Sequence, residues 1–539
     1  MVETDILPAL QRAADWLVDS PLNAVFALVV AVVVAHVIPF ITATHAISYP
    51  GPLLAKFSDF WLVRQAQKGK RFVVVHELHQ KHGKFVRLAP NHISIADHRA
   101  LNAVYGHGTG TMKSEYYDAF VPPRPAVRGV FNTRDRQEHS RKRRIVAHSF
   151  APKSIISFEE FIRREVALLL ERWDEFCDKA KKEGTKGPRG LVGYAWLDSL
   201  LWLNYFAFDT IGTLAFGKTF GMLENGKDEA SVDVDDGKGG FVTSTCSAVE
   251  TINLRGEVSS TLGLVPVWLR PLVLKHPWFS HRLRAVKTLT GIALARVNDR
   301  LENGSERDDL LAKLQAATDD SGQPMGKAEL TAEALTQLIA GSDTTSNTAC
   351  AILHHLGTTP RAMKKLQEEL DRELLDKEIV DESGVPRMDD VNELPYLQAV
   401  LSESLRYHST SSLGLPRILP PQGATICGRF FPGGSVLSVP AYTIHRDAEV
   451  WGKDAEEYNP DRWLPEGARK EFDKAFVPFS VGPRACVGRN VAMAELSILI
   501  AAIIMRYDIV LESPEKPLEK VEGFLVKPTE LQIGLKRRH

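Results

Sequence analysis

The chain has 539 residues, 44% hydrophobic and 25% charged, with 66 basic and 67 acidic side chains and a formal net charge of −1. That balance excludes a disordered polymer and removes the global positive field that non-specific nucleic-acid binding needs. The five cysteines, Cys177, Cys246, Cys350, Cys427 and Cys486, lie far apart with no CxxC pair. This excludes a secreted disulfide framework and a zinc or iron–sulfur spacing, and favours a reducing compartment.

In chain order, Pro21 to Ile41 (PLNAVFALVVAVVVAHVIPFI) comes first. It matches the apolar run of about 20 residues that a spanning helix needs. Residues 1–20 carry Glu3, Asp5, Asp15 and Asp19 against Arg12 alone, unlike the basic start of a signal peptide. Lys56, Arg64, Lys68, Lys70 and Arg71 follow the run. By the positive-inside rule, residues 1–20 are expected in the lumen, 21–41 as a single-pass anchor, and 53–539 on the cytoplasmic side. Residues 42–52, with Pro50 and Pro52, read as a stiff hinge.

RFVVV (71–75), KFVRLAP (84–90) and HISIAD (92–97) predict short strands, and 105–125 a long Gly- and Pro-rich loop. Helical spacing then dominates, in the strongly basic 139–150 and in FIRREVALLLERWDEF (161–176). The acidic, Gly-rich 223–240 predicts a surface loop. LGLVPVWLRPLVLKHPWF (262–279) fits core packing and a patch dipping into a bilayer equally well. A long helix is predicted at 327–357, a hairpin turning at PGG within 424–439, and a last helix at 490–507. With no repeat and no linker between 50 and 535, one mainly α domain with a small β part is the economical reading.

The chemistry concentrates in a few stretches. In FSVGPRACVG (Phe479 to Gly488) the ordinary reading of a lone cysteine is a buried structural thiol. A metal-ligating Cys486 explains more. Gly482 and Gly488 permit a tight turn whose NH groups can face the sulfur, and the following helix start favours a thiolate. Arg484 suits a cofactor carboxylate, and Phe479 can pack on a flat ring. AGSDTT (Ala340 to Thr345) sits mid-helix, where Gly and Thr cost stability. Breaking the bond of dioxygen needs protons, which an acid (Asp343) and a hydroxyl (Thr344) can deliver. Gly341 would leave room for the oxygen and for a helix distortion. Glu403 and Arg406 of ESLR share a helix face at i, i+3.

Together these stretches resemble one family. Phe479, Gly482, Arg484, Cys486 and Gly488 match F-x-x-G-x-R-x-C-x-G, the haem signature of the haem-thiolate monooxygenases, the cytochromes P-450. ESLR resembles the family's E-x-x-R, YNPDRW supplies Arg462 to complete its triad, and AGSDTT resembles its A-G-x-[DE]-T-[TS]. His139 and Arg143 of HSRKR, and Arg417 of LPRILP, match positions that hold haem propionates. The tryptophan variant of the first is absent, which makes Arg143 the firmer contact. Arg141, Lys142 and Arg144 would be solvated or face a redox partner.

The resemblance covers about 50 to 535. It implies the cytochrome P-450 fold, haem b (iron protoporphyrin IX) with axial Cys486, and O2 and NADPH as co-substrates. It further implies NADPH–cytochrome P-450 reductase as partner, an endoplasmic-reticulum membrane location and a small aromatic substrate. KFVRLAPNHISIADHRALNAVYGHGTGTMKSEYYDAF and RGVFNTRDRQEHSRKRRIVAHSF are similar to fungal benzoate 4-monooxygenases. Other aromatic acids such as methoxybenzoates, a larger hydrophobe, a haem-thiolate isomerase and a haem sensor are the rivals. Asp343 and Thr344 argue against the isomerase. A buried benzoate carboxylate needs a donor or cation, for which Tyr116, Tyr117, Arg124, Arg128, Ser411 and Ser412 are candidates.

Overall fold

A computed structural model of the chain describes residues 11, 15–16, 20–42, 48–122, 126–184, 186–235, 240–304, 309–318 and 322–538. Most of the expected lumenal segment, residues 43–47 of the hinge and Arg124 lie outside the described residues. Helix α1 (Pro21–Thr42) covers the apolar run, with Leu22, Val25, Phe26 and Leu28 exposed along it. Among the described residues no helix is long and apolar enough to cross a membrane.

Helices α2 (Phe60–Gln67) and α3 (Arg71–His82) follow. Helix α3 corrects the strand predicted at 71–75. Val73 to Val75 favour strands in isolation. Here the buried Glu522 carboxylate accepts from the Phe72 amide and from Arg71 Nε at the helix start. An anion is favourable at that pole of a helix, and the tertiary contact overrides local propensity.

The strands expected at 84–90 and 92–97 form as β1 (Phe85–Ala89) and β2 (His92–Ile95), which pair antiparallel. Within the stretch expected to be loop, β3 (Met112–Lys113) and a 3-10 turn (Glu115–Phe120) bury Tyr116, Tyr117 and Phe120. Helices α4 (Arg136–Ser149) and α5 (Pro152–Glu183), strand β4 (Ala195–Asp198) and helix α6 (Ser199–Phe216) come next.

The acidic surface loop expected at 223–240 is largely strand. β5 (Ala230–Asp235) pairs antiparallel with β6 (Phe241–Cys246). Helices α7 (Ala248–Leu262) and α8 (Pro277–Asn303) follow, and β5 packs on α8. Ala230 and Val232 are buried, while Asp233 and Asp235 just beyond them mask this period-two pattern in the sequence. Residues 262–279 divide between packed and exposed positions. Leu262, Val265, Leu269 and Phe279 pack with Val63, Val258 and Val286, whereas Val267, Trp268 and Leu272 are exposed.

Helix α9 (Lys327–Thr358) packs on α6 and is buried over most of its length. Its many hydroxyls are tolerated because the helix satisfies them. Thr336, Ser342, Thr344 and Thr348 each donate to the carbonyl four residues back. Helix α10 (Pro395–His408) then leads to β7 (Arg417–Ile418), β8 (Ala424–Ile426), β9 (Arg429–Phe431) and β10 (Val436–Ser438). The hairpin lies within 424–439, but its turn is Cys427–Gly428 rather than PGG. Both turn residues have positive φ, 47° and 77°, the backbone a two-residue hairpin turn demands. PGG instead delivers the chain to β10, which enters a five-stranded sheet of order β1-β2-β10-β7-β3.

Helix α11 (Arg489–Arg506) and strands β11 (Tyr507–Leu511), β12 (Lys520–Glu522), β13 (Val526–Pro528) and β14 (Gln532–Arg537) complete the chain. The main core joins residues of α5, α6, α9, α10 and α11, with Trp173, Ile352, Leu353 and Ile503 sealed from solvent. A second cluster lies under the five-stranded sheet. The mainly α architecture with a small β part is as expected.

Candidate active site

Cys486 stands just before α11, on a loop closed by its own amide donating to the Phe479 carbonyl at 2.9 Å. Gly482 has φ +74°, and a Cβ there would lie 2.0 Å from the Tyr105 carbonyl oxygen, so both conformation and space demand glycine. Gly488 differs: its φ is −84°, and a Cβ would meet only Phe150 at 3.8 Å. The chain's own packing leaves that glycine unexplained, as a flat group lying against the loop would require. Cys486 is exposed. Burial of the loop pushes its thiol pKa up, while the Gly488 amide, Arg143 and Arg489 pull it down. A coordinating metal overrides that balance and takes the thiolate.

A cationic group surrounds this loop. Arg143 donates to the Ala485 carbonyl, Arg484 to the carbonyls of Thr133 and Arg134, and Arg417 to Tyr117 Oη at 2.8 Å. Sequence reasoning missed a fourth member, Lys113. It is buried, pairs opposite Arg417 in the β3–β7 register, and donates to the Phe131 carbonyl. Its strand lay hidden in a Gly-rich stretch, and no sequence signal marks it. Burial and the charges of Arg417, Arg484 and Arg143 push Lys113 well below the usual lysine range. Burial, Arg484 and Lys113 hold His139 down at about 3, so it offers a neutral hydrogen bond rather than a charge. Among the described residues none of the four cations makes an ion pair with a carboxylate. Clustered, partly buried like charges are costly, and a dianion placed among them removes the cost.

Glu403, Arg406 and Arg462 form one buried clamp. Arg406 donates to both Glu403 oxygens at 2.8 and 2.7 Å and to the carbonyls of His445, Ala455 and Glu457. Arg462 Nε, the Asn459 amide and Trp463 Nε1 complete the carboxylate's partners. Burial pushes Glu403 up, and the bonds and charges of Arg406 and Arg462 more than reverse it, leaving the carboxyl below its ordinary value. His445, also missed from sequence, carries the clamp to the cysteine loop. It bonds Ser409 Oγ through Nδ1 and accepts from the Val477 amide through Nε2 at 3.0 Å.

On α9, Asp343 and Thr344 lie side by side. Burial pushes Asp343 above the ordinary carboxyl range, with Lys527 and Asn347 pulling the other way. Asn347 donates to it at 3.1 Å, and Thr344 donates to the Ala340 carbonyl at 2.6 Å. Gly341 is a correction. A Cβ there would lie 2.6 Å from Ile211 Cδ1, so the close α9–α6 packing accounts for this glycine, not space for oxygen. The segment is also unbroken helix rather than distorted. Arg141 and Lys142 are not solvated: both bind Glu329, and Lys142 is buried.

Beside Asp343 and Thr344, Thr345 donates at 2.8 Å to Glu495, whose buried carboxyl is pushed by burial up to about 7. The unfolded chain ionises it near 4.5. The folded state therefore holds the extra proton, and stability contributed by this site falls as pH rises from about 4.5 to 7. Glu495→Gln removes the effect, of order 3 kcal/mol at most. Its melting temperature relative to wild type is expected to rise between about pH 5 and pH 7.5. A difference that stays constant over that interval would contradict a buried ionisation here.

The substrate candidates are mostly engaged. Tyr117 accepts from Arg417, on the cationic side. Tyr116 Oη donates to Ser260 at 3.2 Å, and Arg128 binds Asp118 and the Asn132 carbonyl. Ser412 donates to the Ser409 carbonyl. Ser411 lines a cavity with Tyr105, Leu413, Leu415, Val477 and Ser480. A second cavity is lined by Arg71, Tyr116, Leu264, Ser412 and Leu415 among others.

A family model, Cytochrome P450 written here as cytochrome P-450, matches residues 50–535. The chain belongs to the cytochrome P-450 family. It is 47% identical to a benzoate 4-monooxygenase of Aspergillus niger, over 96% of this chain and 98% of that one. It is 30% identical to a cytochrome P-450 monooxygenase of Aspergillus flavus over 91% and 92%, and 29% identical to pisatin demethylase of Fusarium vanettenii over 89% and 88%. The site fits the family's haem. Cys486 would supply the sulfur ligand, and Arg143, Arg417, Arg484 and Lys113 would supply charge for the haem carboxylates. When bound, haem supplies the iron that activates dioxygen for monooxygenation, with a thiolate pushing electron density toward O–O cleavage.

Proposed function

We propose that this cytochrome P-450 monooxygenase hydroxylates benzoate at its para carbon. Benzoate, O2, NADPH and a proton give 4-hydroxybenzoate, NADP+ and water, with NADPH electrons arriving through NADPH–cytochrome P-450 reductase. The near full-length identity to a benzoate 4-monooxygenase carries this reading. Asp343 and Thr344 supply its protons: the acid is biased toward its protonated form by burial, and the neighbouring hydroxyl passes the proton on. Thr344→Ala is expected to consume NADPH at a near-normal rate but release peroxide in place of most product. Unchanged coupling would remove Thr344 from the relay.

The substrate reading is tested by titrating purified holoprotein with benzoate in the Soret band. A high-spin shift at low concentration supports it. No shift, with a response to methoxylated or larger aromatics, would replace benzoate by those substrates. Turnover with reductase separates either outcome from a haem sensor.

We place the protein at the endoplasmic-reticulum membrane, attached through the apolar run 21–41, although no described helix meets the length and apolarity of a span, and with the catalytic domain in the cytoplasm. Exposed Leu53, Leu54, Phe57, Val267, Trp268 and Leu272 supply further apolar surface that suits the interface. The sequon at Asn303 then stays unmodified; a glycan there would reverse the topology.

A further inference from the structure

Lys527 lies on β13 and is only 9% exposed. The strand is fixed against α9 beside the oxygen-activating stretch. The Val526 amide donates to the Thr410 carbonyl at 2.9 Å, and the hydroxyls of Thr410 and Thr348 pair at 3.0 Å, one turn beyond Thr344. Yet among the described residues the Lys527 ammonium makes no hydrogen bond and no ion pair. The carboxylates that act on it from the surrounding elements are Asp343 of α9 and Glu257 of α7. Both have other partners: Asp343 accepts from Asn347, and Glu257 from Arg282 at 2.8 Å. Lys527 is mostly buried and its ammonium has no partner among the described residues, a costly arrangement that an anion coming to it relieves. Of the six groups the sequence offers for that anion, Arg128, Tyr116, Tyr117 and Ser412 are engaged elsewhere, Ser411 is uncharged, and Arg124 lies outside the described residues.

We propose that Lys527 holds the carboxylate of the aromatic substrate, an inference that rests on the benzoate reading. It is a point charge with three rotatable donors, suited to a small carboxylate that must be held while the far end of its ring faces the haem. A cation that acts on Asp343 also offsets repulsion between that acid and the arriving carboxylate. The neutral ester of the same acid gains nothing from Lys527, so charge at this position selects acids over esters.

The test is a Soret titration of holoprotein with benzoate and with methyl benzoate as the neutral probe. Lys527→Met is expected to raise the Kd for benzoate about 30-fold or more and to change that for methyl benzoate less than about threefold. Lys527→Arg keeps most of the benzoate affinity. The methionine variant loses an unpaired buried charge, so its melting temperature without ligand is expected not to fall; Lys527→Gln serves if it does not accumulate. Three outcomes overturn the inference: an unchanged benzoate Kd in a protein that binds benzoate, an equal loss for acid and ester, or a change confined to the pH profile of turnover. The last would make Lys527 a partner of Asp343 alone. Wild-type protein that ignores benzoate but binds other aromatics sinks the benzoate reading itself.

Discussion

Cys486→Ser is expected to abolish monooxygenation while leaving the fold standing. The side chain is exposed and belongs to no core cluster, so exchanging sulfur for oxygen opens no cavity. The loop around it is held by other atoms: the Phe479 carbonyl, Gly482 against Tyr105, and Arg143 on the Ala485 carbonyl. What is lost is a soft, polarisable anion as axial ligand. A hydroxyl neither ionises at neutral pH nor pushes electron density as a thiolate does. Turnover should fall by far more than the roughly 100-fold that loss of an outer-shell partner of a metal site costs. The check is the reduced-CO spectrum beside a thermal melt. A serine variant that keeps the thiolate Soret band would remove Cys486 from the iron.

Arg406→Leu is expected to do the reverse, removing the fold rather than the chemistry. Arg406 is sealed from solvent and makes five hydrogen bonds, two to Glu403 and three to carbonyls. Leucine leaves the Glu403 carboxylate short of its main counter-charge and three carbonyls without a donor. Breaking a buried pair costs about 3–5 kcal/mol, and each orphaned carbonyl adds about 1–3 kcal/mol. Against a total stability of roughly 5–15 kcal/mol, little folded protein remains. Arg406→Lys recovers only part, because one ammonium cannot reach both carboxylate oxygens and three carbonyls. Soluble yield and haem content report the effect. A leucine variant that melts within a few degrees of wild type would show that the clamp is dispensable.

The cysteine loop and the clamp were readable in sequence because their chemistry is local. Residues 479–488 form one turn, and Glu403 and Arg406 share one helical face. Asp343 and Thr344 stand out in the sequence for the same reason, whereas the close approach of Ile211 to Gly341, from a helix 130 residues away in the chain, does not. Lys113, His445, Glu495 and Lys527 were invisible. Each is an ordinary residue in its own segment and gains its role from groups brought to it by tertiary packing. The same holds for the helix at 71–82. Val73 to Val75 favour a strand until Glu522, some 450 residues on, supplies an anion to the helix start. The β5–β6 hairpin is hidden differently, because Asp233 and Asp235 and the glycines after them imitate a loop.

The most direct test of the central claim is product analysis. Purified holoprotein, reductase, NADPH and O2 are incubated with benzoate, and the hydroxylated acids are separated by isomer. 4-Hydroxybenzoate as the dominant product, formed in proportion to NADPH consumed and absent with Cys486→Ser, is the predicted result. NADPH consumption yielding only peroxide, or a dominant ortho or meta isomer, would contradict para-hydroxylation of benzoate by this chain.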